Sequence, residues 1–249
     1  MAPGPARFSL EPISRRTDDA LRLASTATLA TVLFKRGLRN QVIAGVRALR
    51  PSLKMVGIAR TLRYLPNRED LDTLENWQTM DNPQRAIIEG IEAGQVIVID
   101  ARQSLASGTM GGMLVARAMV RGAAGIVSDG PFRDHPFLET LAFASYAPGA
   151  NANTNLVAHH PEDMDVPIAC GGVQVRPGDV LVGDAEGVIV IPRAWADDVA
   201  QEAAAQEHRE AFIEKKILEG GRIQDWYPMT AAMTEEYLRA RANDEDASS

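Results

Sequence analysis

Apolar residues recur at helical spacing near the start of this chain. Over residues 17–38 they face one side of a helix, with Thr17 and then Ser25 or Thr26 as candidate N-caps and Gly37 as the stop. The pattern predicts one broken helix or two short ones.

Two β-rich segments come next, at residues 41–46 and 54–66. The second segment alternates apolar and polar residues, which predicts a strand with one solvated side. A helix is then predicted over residues 84–94, with Asp81 as a candidate cap and Pro83 near its first turn.

The middle of the chain has the strongest pattern. An apolar strand at residues 95–100 leads into a small-residue loop, a helix over residues 111–122 and a second buried strand at 125–129. This β-loop-α-β order favours a parallel pair with a right-handed crossover. The loop at 101–110 and the turn at 130–136 therefore both leave the carboxyl ends of their strands, where open α/β sheets bind ligands.

Short strands separated by glycine-rich turns fill residues 166–192, a pattern typical of antiparallel hairpins. Asp179 and Asp184 lie in these turns and are predicted to hydrogen-bond their own backbone. A long charged helix follows at about residues 194–219 and stops at Gly220. Its narrow apolar face predicts packing at an edge of the fold or against another subunit.

Composition narrows the range of functions. A chain of 249 residues with 45% hydrophobic content fits one large domain. The net charge of −7 and pI of about 5.2 make nucleic acid an unsuitable partner. One cysteine, Cys170, excludes a disulfide framework, and no stretch is long and apolar enough for a membrane span. A cytoplasmic protein is expected.

The turn after the second buried strand carries an adjacent cation and carboxylate, Arg133 and Asp134. The arginine has a fixed fork of donors for a carboxylate or keto oxygen, and the aspartate offers a hard oxygen ligand for magnesium or manganese. The alternative is a polar turn with a surface ion pair. The position of the Arg133–Asp134 pair on the ligand side of the sheet favours a role in binding over the polar turn.

The helix start that faces this turn is rich in glycine, at Gly108, Gly111 and Gly112. Its free N–H groups would attract an anion such as a carboxylate, and the glycines would let a ligand approach. The alternative, which the glycines alone favour, is a tight turn and close packing of the helix on the sheet.

Other residue types eliminate mechanisms. The four histidines form no zinc-ligand pattern, and His135 is expected in a solvated loop. Cys170, in an apolar strand, is expected to be an inert core thiol.

The segment from about residue 94 to 192, which contains "GGMLVARAMVRGAAGIVSDGPFRD", closely resembles the RraA-like family. That family includes 4-hydroxy-4-methyl-2-oxoglutarate/4-carboxy-4-hydroxy-2-oxoadipate aldolases and the regulator of ribonuclease E activity A. The resemblance spans most of residues 20 to 225. It implies an RraA-like catalytic domain at 17–225. The Pro- and Gly-rich start predicts a flexible tail at 1–16, and the C-terminal extension at 226–249 is expected to fray at its small, acidic last residues.

The resemblance implies a single α/β domain, a swivelling β/β/α-type sandwich with a charged C-terminal helix. It also implies a homotrimer, sometimes doubled to a hexamer, with active sites between subunits. Asp134 would hold Mg²⁺ or Mn²⁺ largely through water, and Arg133 would contact the pyruvyl group and steady its enolate. The backbone from Gly111 through Gly112 and Met113 to Leu114 would bind the pyruvyl carboxylate.

One feature departs from the aldolase pattern, in which an aspartate stands twenty residues before the Arg-Asp pair. Here Gly112 occupies that position. An acidic residue from a neighbouring subunit's C-terminal helix is also implied, with Glu210 as the match and Glu207 and Glu214 as alternatives. From the charge pattern alone, all three belong to a solvated helix face.

These observations favour a metal-dependent lyase that cleaves a C–C bond next to an α-keto acid. Decarboxylation of an oxaloacetate-type acid needs no base to begin, so it tolerates Gly112 better than retro-aldol cleavage of a 4-hydroxy-2-keto acid. The alternative is a non-catalytic regulator that binds a ribonuclease, and a related lyase or hydratase for another keto acid also stays open.

Overall fold

The computed structural model describes residues 8–77 and 82–247. The helices are α1 Arg15–Leu23, α2 Thr26–Lys35, α3 Leu74–Trp77, α4 Pro83–Gly90, α5 Gly112–Val120, α6 His135–Leu138, α7 Ala196–Leu218, α8 Ile223–Trp226 and α9 Ala231–Ala247. The strands are β1 Arg47–Ala48, β2 Met55–Pro66, β3 Gln95–Asp100, β4 Gly125–Ser128, β5 Ser145–Ala147, β6 His159–Met164, β7 Ile168–Cys170, β8 Val173–Val175, β9 Val180–Gly183 and β10 Val188–Ile191.

The main sheet has the order β1-β5-β4-β3-β2-β9-β10. Strands β2 to β5 are parallel neighbours, which confirms the predicted parallel pairing of β3 with β4. The long strand β2 has two partners on its other edge: β9 along its first half and β6 along its second half, both antiparallel. This divided pairing curls the sheet.

Side chains of the central strands point alternately into two cores, because successive residues of a strand face opposite sides. In β3, Ile97 and Ile99 pack under α4 and α5, whereas Val96 and Val98 pack under the separate hairpin of β7 and β8. A third core lies between α1, α2, α7 and the strands β9 and β10. Helices therefore cover one face of the sheet and a β-hairpin covers the other, in agreement with the predicted β/β/α sandwich.

Strand β2 differs from its prediction in one respect. Its first eight residues are all buried, so neither side is solvated there. Arg60 and Thr61 are polar residues of this strand, but their side chains lie inside the fold, where both are hydrogen-bonded. Arg60 donates to both carboxylate oxygens of Asp165, at 2.7 and 2.8 Å, and Thr61 donates to the backbone oxygen of Val166. Paired burial of this kind cannot be read from hydropathy alone.

The helical start forms two helices, and the side chain of Ser25 caps the second, as predicted. The cap of the first is Ser14, not Thr17, which is buried and bonded to Ser14 and Asp197. Helix α1 begins at Arg15, two residues before the expected domain start, so residues 15 and 16 are not part of a flexible tail.

The segment at 41–46 is not a strand. Only Val42 forms an isolated bridge, to Ile189 at the sheet edge, because Gly45 has a φ of +79° that breaks extended structure.

Helix α4 forms where predicted, with Pro83 in its first turn, but it ends at Gly90 and not at residue 94, because Ile91 is already extended. Its cap is Asn82, whose side chain accepts from the Gln84 N–H at 2.8 Å. Asp81 lies outside the described residues.

The glycine-rich turns at residues 171–172 and 185–187 close the predicted hairpins, β7 with β8 and β9 with β10. The turn at residues 177–179 instead carries the chain from the small hairpin into the main sheet. Asp179 and Asp184 accept from the backbone of their own turns, at Arg176 and Glu186, as expected.

The charged helix α7 packs along α1 and α2 through a row of small residues that includes Ala196, Ala200 and Ala203. This confirms the predicted edge packing. The acidic C-terminal residues, expected to be frayed, belong to α9 as far as Ala247. Within residues 8–77 and 82–247, every helix is too short or too polar to cross a membrane.

Candidate functional site

The candidate site lies where β3 and β4 end side by side. Each strand is followed by an irregular segment, residues 101–111 after β3 and residues 129–134 after β4. The two segments pack closely, since a Cβ atom at Gly130 would lie 2.8 Å from the Cβ of Ala101. Residues far apart in sequence are thereby brought to one edge of the sheet.

Asp129 ties the two segments together from inside the protein. Only 4% of the residue is exposed. One carboxylate oxygen accepts from the Ala101 N–H at 2.6 Å and the other from the Gly171 N–H at 3.1 Å. Burial raises the pKa of Asp129, although these bonds act in the opposite direction. Asp129 therefore acts as a structural residue at this edge.

Thr109 connects the loop before α5 to the turn after β4 that carries Arg133. Its N–H donates to the Pro131 oxygen at 2.7 Å, and its hydroxyl donates to the same oxygen at 2.9 Å. Its own carbonyl accepts from the Tyr64 hydroxyl at 2.9 Å and from Gln84 Nε2 at 2.8 Å. The Arg133 N–H also bonds to this loop, at the Met110 oxygen. These bonds fix the backbone on both sides of the candidate site.

Arg133 rests on Gly108, because a Cβ there would lie 2.3 Å from Arg133 Cγ. Any other residue at position 108 would displace the arginine. Its Nε is buried without a hydrogen-bond partner, and no ion pair within the described residues involves its guanidinium. The expected alternative, an ion pair with Asp134, is therefore not formed. A partly buried and unpaired cation remains, as an anion-binding residue requires.

Asp134 has a left-handed backbone, with φ of 60° and ψ of 34°. Aspartate tolerates this conformation better than most residues. Its side chain points toward α5, where Oδ2 accepts from the Gly112 N–H at 2.8 Å. A carboxylate at a helix N-terminus is stabilised by the helix dipole and the unpaired N–H groups.

The structure thus brings Gly111, Gly112, Arg133 and Asp134 together. The Leu114 N–H bonds to the Gly111 oxygen at 3.2 Å, and the Leu114 side chain packs on the core. The Met113 side chain is 83% exposed and points away from the core. The α5 N-terminus therefore offers fewer free N–H groups than the sequence predicts, because Asp134 already uses one of them.

The donor set available to a divalent metal is small. Across residues 8–77 and 82–247, no three His, Cys, Asp or Glu side chains are grouped so that they could hold a metal ion. Asp134 supplies one carboxylate, with Oδ2 bonded to Gly112 and Oδ1 available. Magnesium commonly binds through one or two carboxylates, completing its shell with water and substrate oxygens, so Asp134 fits such an ion as a single protein ligand.

Comparison with known proteins identifies the family of the chain. The family model RraA-like, described as Aldolase/RraA, matches residues 26–190, which is more than half of the chain. The chain belongs to the Aldolase/RraA family. The matched residues include the helix α2, the central sheet, the glycine-rich helix start and the Arg133–Asp134 turn.

Individual family members are similar at moderate identity. A protein of Halalkalibacterium halodurans named "Putative 4-hydroxy-4-methyl-2-oxoglutarate aldolase" is 33% identical over 189 residues, covering 73% of this chain and 82% of that protein. The crystal structure of Streptomyces coelicolor RraAS2, described as an unusual member of the RNase ES inhibitor RraA protein family, is 33% identical with a TM-score of 0.72, covering 82% of this chain and 98% of that one. An uncharacterized protein from Pseudomonas syringae pv. tomato shares the fold, with a TM-score of 0.76, 24% identity and coverage of 88% and 96%.

The three glutamates of α7 differ in their surroundings in this family member. Glu207 accepts from the Ser25 N–H at 2.6 Å, at the start of α2. Burial disfavours its charge, but bonds from Ser25 and Thr28 together lower the pKa of Glu207. Glu210 accepts from Gln206 at 2.8 Å, and Glu214 is exposed. Glu207 is therefore a capping residue of its own subunit.

Glu210 does not meet Arg133 or Asp134 within one subunit. No hydrogen bond or ion pair in the described part of the chain links α7 to that turn. Glu210 instead lines a cavity of about 380 Å³ between α7 and the segment that follows it, together with Lys35, Arg209 and others.

A second polar cluster lies beneath the loop at 101–110. His159 is fully buried and stacks on Tyr64, with ring centroids 5.2 Å apart. Its Nδ1 is 3.2 Å from Arg102 Nη2, while its Nε2 is buried without a partner. Burial, and then the charge of Arg102, lowers the pKa of His159 to about 4. The neutral ring thus supports the loop from below.

Several residues around the site were not predicted. Tyr64, Gln84 and Thr109 form one hydrogen-bonded group, but they are separated in sequence and carry no motif. Phe137, which lies against Gly112, could have been found, because it follows Asp134 by one helical turn. His135, expected in a solvated loop, instead begins the short helix α6 and is half-buried, with its Nε2 enclosed and without a partner. The core thiol of Cys170 is as expected, with burial raising its pKa well above the usual value.

Replacing Glu207 with alanine is expected to lower the free energy of unfolding by about 1 kcal/mol, because α2 loses a charged cap. The measurement is urea unfolding at neutral pH. Glu214→Ala is the matched control on the same helix and should leave stability unchanged. Equal effects of the two substitutions would contradict the capping role.

The low pKa of His159 predicts a pH dependence of stability. The unfolded state binds a proton near pH 6.5, whereas the folded state does so only near pH 4. The protein should therefore lose stability relative to His159→Asn as the pH falls from 6.5 to 4. Thermal unfolding at several pH values tests this, with the exposed His208→Asn as the control. A stability difference that stays constant over this range would contradict the assignment.

Proposed function

We propose that this Aldolase/RraA protein is a divalent-metal-dependent lyase that cleaves a C–C bond adjacent to an α-keto acid. The observation that carries the proposal is the unpaired guanidinium of Arg133, with its buried Nε, beside the carboxylate of Asp134. Relatives named as 4-hydroxy-4-methyl-2-oxoglutarate aldolases support lyase activity in the family. The substrate class is a small α-keto acid.

In this proposal the α-keto acid binds between Arg133 and the start of α5. The guanidinium fork would donate to the keto oxygen or the adjacent carboxylate oxygen. The helix start would face the carboxylate with its remaining N–H groups and its dipole. Met113 would contribute only its backbone N–H, because its side chain points into the solvent.

Asp134 would hold Mg²⁺ or Mn²⁺ through its free oxygen and through water. A bound metal ion would supply positive charge beside the keto oxygen. For an oxaloacetate-type acid, the electron pair of the breaking C–C bond moves toward that oxygen as carbon dioxide leaves. Arg133 would donate to the resulting enolate oxygen, and a proton then adds to the carbon, giving pyruvate.

Decarboxylation suits this chain better than retro-aldol cleavage. Retro-aldol cleavage begins with removal of a hydroxyl proton, so a base must stand near the substrate. Position 112, where the aldolase pattern has an acid, is Gly112 here. Decarboxylation begins without a base. We therefore place oxaloacetate-type decarboxylation first and cleavage of 4-hydroxy-2-keto acids second.

Self-association as a homotrimer or hexamer is part of the proposal. A partner subunit could supply an acid to the site, and Glu210 is the candidate. Its bond to Gln206 would then have to be released or shared.

The second candidate function is that of a protein-binding regulator of a ribonuclease. The specific support is the similarity to RraAS2, whose structure is described as that of an RNase ES inhibitor family member. Such a regulator should capture the ribonuclease specifically without metal and should still do so after Arg133→Ala.

The test is pyruvate release from oxaloacetate and from 4-hydroxy-4-methyl-2-oxoglutarate, with magnesium or manganese and with chelator. Arg133→Ala is expected to lower kcat/KM about 100-fold, because it removes a preorganised donor to the enolate oxygen. Asp134→Asn retains the left-handed turn and should abolish the metal-dependent part of the rate. Arg15→Ala changes a fully solvated arginine and is the control.

Turnover that survives chelator and both site substitutions would contradict the metal-dependent site. Absence of turnover with both acids, combined with specific ribonuclease capture, would favour the regulator.

A further inference from the structure

The space beside Gly112 is filled by an aromatic ring. A Cβ at position 112 would lie 2.6 Å from Cδ1 and 3.2 Å from Cε1 of Phe137. The first distance is far below a normal carbon–carbon contact, so a side chain at 112 and the present position of the ring exclude one another. Gly112 does not have a positive φ, and its absence of a side chain is explained by this contact.

Asp134 borders the same empty Cβ position. The hypothetical Cβ at 112 would lie 3.2 Å from Asp134 Cβ, and one at Gly111 would lie 3.2 Å from Asp134 Oδ2. The Phe137 N–H donates to the Asp134 backbone oxygen at 2.9 Å. Ring, glycine pair and carboxylate therefore form one packed unit at the start of α5.

We propose that Phe137 is a positioning residue whose ring occupies the place of a side chain at position 112 and confines the Asp134 carboxylate to the N-terminus of α5. The ring is 42% exposed, so it is held on one side by Gly112 and open to the solvent on the other. Its effect on metal binding rests on the proposed function, whereas its packing with Gly112 does not.

The ring has a consequence for any metal at Asp134. It puts an apolar group where a second carboxylate would have to stand, which leaves Asp134 as the single protein ligand on this side. The departure of Gly112 from the aldolase pattern is thus coupled to Phe137. Adding the acid alone should not rebuild a two-carboxylate site, because the ring still occupies its space.

The packing part is tested with Gly112→Ala, Phe137→Ala and the double variant. Alanine normally stabilises a helix relative to glycine, yet Gly112→Ala should lower Tm by about 2–6 °C, because the new methyl group meets the ring. In the Phe137→Ala background the same substitution should raise Tm. Gly90→Ala, on α4, is the control and should not lower Tm, because its added Cβ would meet only Arg60 Nη2, at an ordinary contact distance of 3.9 Å. A neutral or stabilising Gly112→Ala in the wild-type background would overturn the proposal.

The positioning part is tested by Mn²⁺ binding, followed by electron paramagnetic resonance of the free ion. Gly112→Asp combined with Phe137→Ala should bind Mn²⁺ about tenfold more tightly than Phe137→Ala alone, because a second carboxylate can enter. Gly112→Asp alone should gain much less, and Asp134→Asn should lose the site. Equal Mn²⁺ affinities of Gly112→Asp and the double variant would show that the Phe137 ring does not exclude a carboxylate from position 112, and would overturn the proposal.

The outcomes separate this inference from the proposed function. Coupled Tm and Mn²⁺ effects without turnover of either acid would uphold the positioning role of Phe137 and reject the lyase. Metal-dependent turnover with additive, uncoupled substitutions would uphold the lyase and reject the positioning role.

Discussion

The arrangement of the site depends on one buried carboxylate, that of Asp129. It stands at the end of β4 and accepts backbone N–H groups from the loop after β3 and from the turn of the β7–β8 hairpin. A buried carboxylate is costly unless it is well bonded, so the three segments are held in one relative position. Arg133 and Asp134 follow within five residues of it. Their position relative to α5 therefore depends on Asp129 as well as on the backbone bonds of Thr109 and Met110.

The parts of the fold that could be predicted are those in which local pattern and tertiary environment agree. The apolar runs of β3 and β4, with a helix between them, admit few arrangements other than a parallel pair. Strand β2 was predicted, but its burial on both faces was not, because Arg60 is neutralised by Asp165, a residue more than a hundred positions away. The strand predicted at 41–46 does not form, because the positive φ of Gly45 interrupts extended structure despite the β-propensity of its neighbours.

The charged residues of the candidate site could be predicted from the sequence, but the residues that hold them in place could not. Arg133 and Asp134 are visible in the sequence because they directly follow a buried strand. That the two do not pair with each other is a property of side-chain direction: Arg133 lies along Gly108, and Asp134 turns to the Gly112 N–H. The group of Tyr64, Gln84 and Thr109 has no sequence signal, because each contact joins separate elements. The role of α7 glutamates could not be assigned by charge pattern, since only packing distinguishes Glu207 from Glu214.

The divided pairing of β2 has a consequence for how the chain reaches this structure. Its first half can complete its pairing only with β9, at Val180–Gly183, after most of the chain has been synthesised. Until then, an apolar strand in the middle of the sheet has one open edge, which is a site for unwanted strand addition. Contacts of such long sequence separation slow folding, because the loop between them must close first. Shortened chains that end before β9 would therefore be prone to aggregate, even though they contain Arg133, Asp134 and the start of α5.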